Sequence, residues 1–366
     1  MEPLFDLADE FGPAKILHLY EPSSGLRGIV VVDNTAAGPC IGGIRLAPDV
    51  SAEEAFRLAR SMTFKSAAAG LPHGGAKAVI YGDPAMPPAY KETLIRAFAH
   101  AIRDVHDYIP GPDMGTDEQC MAWVHDEIGR AIGLPEALGG IPLDEIGATG
   151  WGVVAAADVA RAFCKMEFRG ARFVIQGFGN VGKHAARFLV DRGAVMVGVA
   201  DISGALHDQK GTDVAALASH VGSGGEVRDF ANGALIGRDE AIAIPCDILV
   251  PAARPDVITL DNVGRVDTRL IVQGANIPIA PEAEDELHRR GVVSVPDFIA
   301  NAGGLICGHV ELRGGNKDEA MALVERMIRD NTQVILERAQ DRGISPRAAA
   351  LEIAEARVRE ATVSRR

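Results

Sequence analysis

The sequence predicts an α/β protein of two domains, and three observations carry that expectation. Its 366 residues exceed what one compact core ordinarily holds and suit two. Hydrophobic residues make up 47% and charged residues 24%, the balance of a folded globular chain, which excludes disorder for the bulk of it. From about residue 171, apolar runs of strand length alternate with helical patterns, as in βαβ units around a parallel sheet covered on both faces.

In chain order, Leu26–Asn34 (LRGIVVVDN) is rich in β-branched residues and reads as a strand. Glu53–Phe64 reads as a helix, with Phe56, Ala59 and Met62 three apart. Lys91–Tyr108 reads as a second, with Leu94, Ile95, Phe98, Ile102 and Val105 on one stripe. A loop dense in Pro and Gly follows, PGPDMGTDEQ. Thr116, with Gln119 three residues on, predicts an N-cap for a helix over Asp117–Ile128. ARFVIQ, VMVGVA, DILVPAA, LIVQGA and GVVSVPD are the strand candidates of the middle region, with a helix over Val181–Arg192. Lys317–Ala339 is helical by spacing, and a last helix is expected after Pro346. These rhythms set domain borders at 1–145, 146–314 and a C-terminal helical segment, 315–366, packing back toward the first domain.

Composition excludes several function classes. A formal net charge of −13 disfavours a nucleic-acid partner, because phosphate binding needs a basic face. No stretch approaches the roughly 18 apolar residues of a membrane span. The opening MEPLFDLADEFG is acidic and lacks the pattern of a signal peptide. Cys40, Cys120, Cys164, Cys246 and Cys307 are odd in number and scattered. That argues against a disulfide framework or a metal site and for a cytoplasmic location.

Gly177-Phe178-Gly179-Asn180-Val181-Gly182 is a GxGxxG between a predicted strand and a predicted helix. A second strand, Val195–Ala200, ends at Asp201, 19 residues after Gly182. In that context the motif binds a dinucleotide. Gly177 permits the tight turn, Gly179 the approach of pyrophosphate and Gly182 close helix–strand packing. The helix N-terminus, at Asn180 and Val181, offers N–H groups and a positive dipole end to phosphate. Asp201 accepts from the adenosine ribose and repels a 2′-phosphate, which favours NAD over NADP. The bland alternative is that Asp201 caps the turn DISGA.

Lys65 and Lys77 sit in small, apolar surroundings, MTFKSAAAGLPHGGAK. Spacing alone fits either two solvated lysines at loop edges or two ammonium groups in one pocket. The second arrangement lowers a lysine pKa toward neutrality and makes a general base. His73, alone beside Gly74-Gly75, reads as structural, and Asp113 by itself as a helix-start carboxylate.

These segments together resemble the glutamate/leucine/phenylalanine/valine dehydrogenases. The resemblance lies in Leu71–Pro84 (LPHGGAKAVIYGDP), Pro112–Thr116 (PDMGT), Ala148–Val153 (ATGWGV), Cys246–Ala253 (CDILVPAA), Gln273–Asn276 (QGAN) and Asn301–Gly304 (NAGG), in that order along the chain. It implies an N-terminal α/β domain for substrate binding and oligomerisation, then a doubly wound Rossmann domain for NAD, in a homo-oligomer. It also implies roles. Lys65 holds the substrate α-carboxylate, Lys77 is the catalytic lysine and Asp113 moves protons at the substrate nitrogen. Thr149 and Asn276 face the nicotinamide, with Ala252 also on the cofactor side, and Gly74 and Gly75 keep bulk from the reacting centre. The implied reaction is reversible oxidative deamination of an L-amino acid to a 2-oxo acid and ammonia, in a site between the domains.

The chain departs from the glutamate branch at two positions. That branch carries a lysine before the first Gly-Gly, where this chain has Ile41 ahead of Gly42-Gly43. It also carries a hydroxyl residue where this chain, past Leu305, has Gly308. Ile41, Gly43, Leu305 and Gly308 are thus expected to line the substrate side chain, with Gly308 leaving extra room. An unpartnered buried carboxylate costs several kcal/mol, so a neutral branched or aromatic amino acid is expected. Glutamate is the runner-up, through Arg45 as a substitute cation. A catalytically silent NAD-binding regulator is a more distant alternative, opposed by the joint presence of Lys65, Lys77 and Asp113.

Overall fold

The computed structural model describes residues 7–230 and 233–364. The first six residues of the acidic opening segment lie outside the described residues. The chain forms two compact units. One comprises Met1–Pro142, Leu305–Glu319 and Leu351–Arg366; the other comprises Leu143–Gly304 and Ala320–Ala350. The sequence rhythm sets its borders after 145 and 314. Packing sets the first at 142/143, assigns 305–314 to the first unit and divides the C-terminal helices between the two.

The first unit is built on a five-stranded sheet. Its strands are β1 (Lys15–Glu21), β2 (Leu26–Asn34), β3 (Cys40–Ala47), β4 (Gly74–Tyr81) and β5 (Tyr108–Pro112), in spatial order β1-β2-β4-β3-β5. The pairs β1–β2 and β2–β4 are antiparallel, whereas β3 runs parallel to both β4 and β5. Helix α1 (Ala52–Ala69) covers one face. It outruns the expected 53–64, because Ala67, Ala68 and Ala69 continue it to Gly70, which stops it in the left-handed region at φ +75°.

Helix α2 (Pro88–Ala101) ends before the expected Tyr108, which instead opens β5. Ile102 and Val105 remain in the core, so the apolar stripe outlasts the helix. The Arg130 guanidinium takes up the carbonyls of both, at 2.7 and 3.1 Å, which satisfies the non-helical turn.

Helix α3 (Glu118–Ile128) is capped by Asp117, whose carboxylate accepts from Cys120 N at 2.9 Å, and not by Thr116. The Thr116 hydroxyl is already engaged with the Asp113 amide and the Ile44 carbonyl, at 3.0 and 2.8 Å.

The second unit begins with α4 (Leu143–Ile146) and α5 (Ala148–Phe163). Five parallel strands follow: β6 (Arg172–Gln176), β7 (Val195–Ala200), β10 (Ile248–Pro251), β11 (Leu270–Val272) and β12 (Val293–Val295). They lie in the order β12-β11-β10-β6-β7. The short strands β8 (Ala205–His207) and β9 (Ala234–Ile236) extend the β7 edge antiparallel. Helices α6 (Asn180–Val190), α7 (Val214–Gly222) and α8 (Pro281–Arg289) connect these strands. This is the doubly wound α/β arrangement expected. Helix α9 (Asp297–Ala300) follows β12. Then come α10 (Gly303–Leu312), α11 (Lys317–Arg342) and α12 (Pro346–Ser364), the helical C-terminus. Among the described residues, no helix is long and apolar enough to cross a membrane.

Candidate active site

Three adjacent parallel strands of the first unit assemble a charged cluster. Lys77 lies on β4, Gly43 and Arg45 on β3, and Asp113 immediately after β5. Side chains alternate along a strand, so Ile41, Gly43 and Arg45 share one face of β3. Asp113 Oδ2 accepts from both cations, Lys77 Nζ and Arg45 Nε, each at 2.8 Å. The Arg45 guanidinium also pairs with Glu54 of α1.

Gly43 makes this convergence possible. A Cβ there would lie 2.7 Å from Asp113 Cβ, 2.9 Å from Pro112 O and 3.4 Å from Lys77 Nζ. The Asp113 turn is fixed in turn by Thr116 and by the hydrogen bond from Leu46 N to Met114 O, at 2.9 Å. Gly74 and Gly75 have a different task from the one expected. A Cβ on Gly75 would lie 2.0 Å from Thr63 N, and one on Gly74 would lie 1.7 Å from Asn34 O. Their bareness lets α1 and the end of β2 pack on β4.

The Lys77 side chain is 7% exposed. Burial pushes its ammonium below the usual lysine range, and the Arg45 charge pushes the same way. Asp113 opposes both without reversing the direction. For Asp113, burial raises the carboxyl, but Lys77 and Arg45 outweigh it and hold it below the usual carboxylate range. A second cation acting on Lys77 is Arg45, which the sequence offered only as a partner for an acidic substrate. Lys65 stands on α1, half-buried, two residues past Thr63.

Ile41 is 2% exposed. Leu305 is buried on α10. Gly308 does not leave the extra room expected of it, because Ile132 fills the space: a Cβ at 308 would lie 2.6 Å from Ile132 Cδ1. Ile132 N donates to Pro110 O at 2.8 Å, and Glu311 of α10 accepts from Leu134 N and Ile141 N at 3.0 and 3.2 Å. The loop and the helix are thereby locked together. His73 is structural. Its Nδ1 donates to Pro39 O at 3.2 Å, which leaves Nε2 to accept from His309 Nδ1 at 2.8 Å. Burial keeps both rings below the ordinary histidine pKa.

In the second unit the glycine motif has the form a phosphate cradle requires. Gly177 has φ +105°, and a Cβ there would meet Ala253 N at 2.6 Å. A Cβ on Gly182 would meet Gly177 O at 1.8 Å, whereas one on Gly179 meets nothing within 4 Å. Gly179 opens α6 with no side-chain cap, so the first N–H groups, from Asn180 and Val181 onward, have no side chain upon them. Open space at Gly179, tight packing at Gly177 and Gly182 and a bare helix start together fit a dinucleotide pyrophosphate. Val181 and Ala252 both border Gly274, each 3.1 Å from the position a Cβ would take.

Asp201 closes β7 and caps its own turn, accepting from Ser203 N at 2.7 Å and from the Ser203 hydroxyl. Thr149 stands beside Gly304, and Asn276 Oδ1 accepts from Asn301 Nδ2 at 2.9 Å. The sequence reading missed Glu54, Ile132 and His309. Each acts on its partner across a gap in the chain with no spacing that announces it.

Comparison with known proteins identifies the family. Residues 139–366 match the family described as Glutamate/Leucine/Phenylalanine/Valine dehydrogenase. Residues 15–130 match Glu/Leu/Phe/Val dehydrogenase, dimerisation domain. A glutamate dehydrogenase of Aeropyrum pernix is 37% identical over 322 residues, covering 83% of this chain and 77% of that protein. The hetero-hexameric glutamate dehydrogenase of Thermus thermophilus, in its leucine-bound form, has a TM-score of 0.84 at 30% identity, covering 97% of this chain and 90% of the other. The glutamate dehydrogenase of Peptoniphilus asaccharolyticus also has a TM-score of 0.84, at 26% identity, covering 100% and 94%. With both of its parts matched in order, the chain belongs to the glutamate/leucine/phenylalanine/valine dehydrogenase family of amino-acid dehydrogenases.

Proposed function

We propose that the protein catalyses the reversible, NAD-dependent oxidative deamination of a neutral L-amino acid, branched aliphatic or aromatic. The carrying observation is the commitment of Arg45. Its guanidinium is engaged by Asp113 and Glu54, so it is not available to a substrate's distal carboxylate, and Ile41 on the same strand face is apolar and buried.

When bound, the nicotinamide supplies the hydride acceptor that oxidation of an amine requires. Lys65 pairs with the substrate α-carboxylate. On the oxidised substrate, Lys77 in its neutral form takes a proton from the water that attacks the α-carbon. Burial favours that neutral form. Asp113, through the oxygen that neither cation occupies, takes a proton from the substrate ammonium before oxidation and hands it to the departing nitrogen, while the carbinol hydroxyl releases its proton to solvent as the 2-oxo group forms. Ammonia and a 2-oxo acid result. Gly177, Gly179, Asn180, Val181 and Gly182 would hold the pyrophosphate, Asp201 the adenosine ribose, and Thr149, Ala252 and Asn276 the nicotinamide end. The working form proposed is a homo-oligomer, supported by the match to a dimerisation domain.

Glutamate is the second reading, favoured by the 37% identity to the Aeropyrum pernix glutamate dehydrogenase. A panel of L-amino acids with NAD and NADP, followed at the absorbance of the reduced nicotinamide, tests both. Leucine, phenylalanine or a similar substrate should exceed glutamate in kcat/KM. A glutamate-dominated profile overturns the neutral-substrate reading.

A further inference from the structure

One helical turn of the second unit grips three residues of the loop after β11, Gly274, Asn276 and Ile277. Asn301 Nδ2 donates to Gly274 O at 3.4 Å and to Asn276 Oδ1 at 2.9 Å. A carbonyl only accepts, so the Gly274 contact fixes which way the Asn301 amide faces. It also leaves Asn276 its Nδ2 as the donor. Four residues earlier, Asp297 Oδ2 accepts from the backbone N–H of Ile277 at 2.9 Å. Asn301 N donates back to Asp297 O at 2.8 Å, so the two gripping side chains belong to one turn.

Ile277 has φ +47°, a left-handed conformation that a β-branched residue rarely adopts. It persists because both of its backbone polar groups are held: its N–H by Asp297, and its carbonyl by Asp256 N at 3.0 Å. Asp297 is buried, and its other oxygen receives Arg347 Nη2 at 2.7 Å. Arg347, from the first turn of α12, also binds Glu284 through Nε and Gln273 Oε1 at 2.9 Å, and lies over the Phe298 ring.

We propose that Asp297, anchored by Arg347, is a positioning residue for the cofactor. It holds the strained Ile277 turn so that the Asn276 amide is presented to the nicotinamide carboxamide. The inference rests on the placement of Asn276 at the nicotinamide given under the proposed function. The carboxylate is required because both of its neighbours, Ile277 N–H and the Arg347 guanidinium, are donors. An asparagine at 297 must turn its NH2 toward one of them.

The test compares NADH with ADP-ribose, which lacks the nicotinamide, by titration on the full-length protein. If the wild-type protein prefers NADPH, 2′-phospho-ADP-ribose is the matched probe. Asp297→Asn should weaken the reduced dinucleotide by roughly tenfold and lower kcat by a similar factor or more, with ADP-ribose affinity kept within about twofold. Arg347→Lys, which keeps the cation but loses the fork, should give a smaller shift in the same direction. It carries the test if Asp297→Asn does not fold. The double variant with Asn276→Ala should be little worse than Asn276→Ala alone. Equal weakening of NADH and ADP-ribose with a lowered Tm would mean a merely structural role and overturn the proposal. So would unchanged NADH binding in Asp297→Asn while Asn276→Ala weakens it. If Asn276→Ala itself leaves NADH binding and kcat unchanged, the placement of Asn276 at the nicotinamide fails instead.

Discussion

Lys77 Nζ and Asp113 Oδ2 meet at 2.8 Å across the space that a side chain on Gly43 would occupy. The pair exists because a strand between β4 and β5 carries no Cβ at that position. Gly43→Ala should therefore cut kcat/KM by about a hundredfold or more, since a displacement of roughly 1 Å at reacting groups has that effect. The dinucleotide Kd, measured by fluorescence titration, should stay within about twofold. An alanine variant with near-native turnover would show that the pair tolerates separation and is not the reacting couple.

Lys77→Ala should abolish turnover with dinucleotide binding nearly intact, because in the proposed mechanism the lysine acts on the substrate. Retention of more than a few per cent of wild-type kcat contradicts the assigned mechanism.

Arg45 links charge to pH dependence. Burial and the Arg45 guanidinium both favour neutral Lys77, and in the proposed mechanism the neutral form is the base, so kcat/KM should rise with pH through a lysine pKa below its usual range. Arg45→Met removes one of the two depressing influences. The ascending limb should shift to higher pH relative to the wild type on the same substrate, so that the titration of the substrate's own amine cancels. A shift to lower pH, or none, would mean that Arg45 does not act on Lys77.

Asp201 both caps its turn and, in the proposed reading, faces the ribose. Asp201→Asn keeps an acceptor for Ser203 N while removing the charge. The ratio of kcat/KM for NADP to that for NAD should rise. An unchanged ratio would leave Asp201 with the turn alone.

Ile132 packs over Gly308, and in the proposed reading that contact governs substrate size. Ile132→Ala should improve kcat/KM for bulky amino acids relative to leucine. A shallow change of about 10–200-fold is expected, as apolar volume discriminates weakly. Gly308→Ser should lower activity on every substrate unless combined with Ile132→Ala, because the new side chain lies against Ile132 Cδ1. Ile41→Lys is the change expected to raise glutamate turnover. No response of the bulky-to-leucine ratio to Ile132→Ala would remove this residue from the pocket.

The sequence by itself determined the α/β class, the order of most strands and helices and the glycine cradle ahead of α6, and its motifs singled out Lys77 and Asp113 through their family resemblance. These are written in local periodicity and in short motifs, where each residue's neighbours along the chain suffice to state its constraint. Only the tertiary structure decided what those residues touch. It brought Arg45 to Lys77 as a neighbouring cation, because β3 lies between β4 and β5 in space and not in sequence. It filled the room at Gly308 with Ile132, 176 positions earlier in the chain. It moved the α3 cap from Thr116 to Asp117, because the Thr116 hydroxyl was already bound to Ile44 across 72 residues. It also brought Arg347 to Asp297 and so tied the start of the last helix to the loop after β11. Packing, desolvation and competition for hydrogen bonds act through distance in space, and a linear pattern carries no record of that distance until the chain has folded.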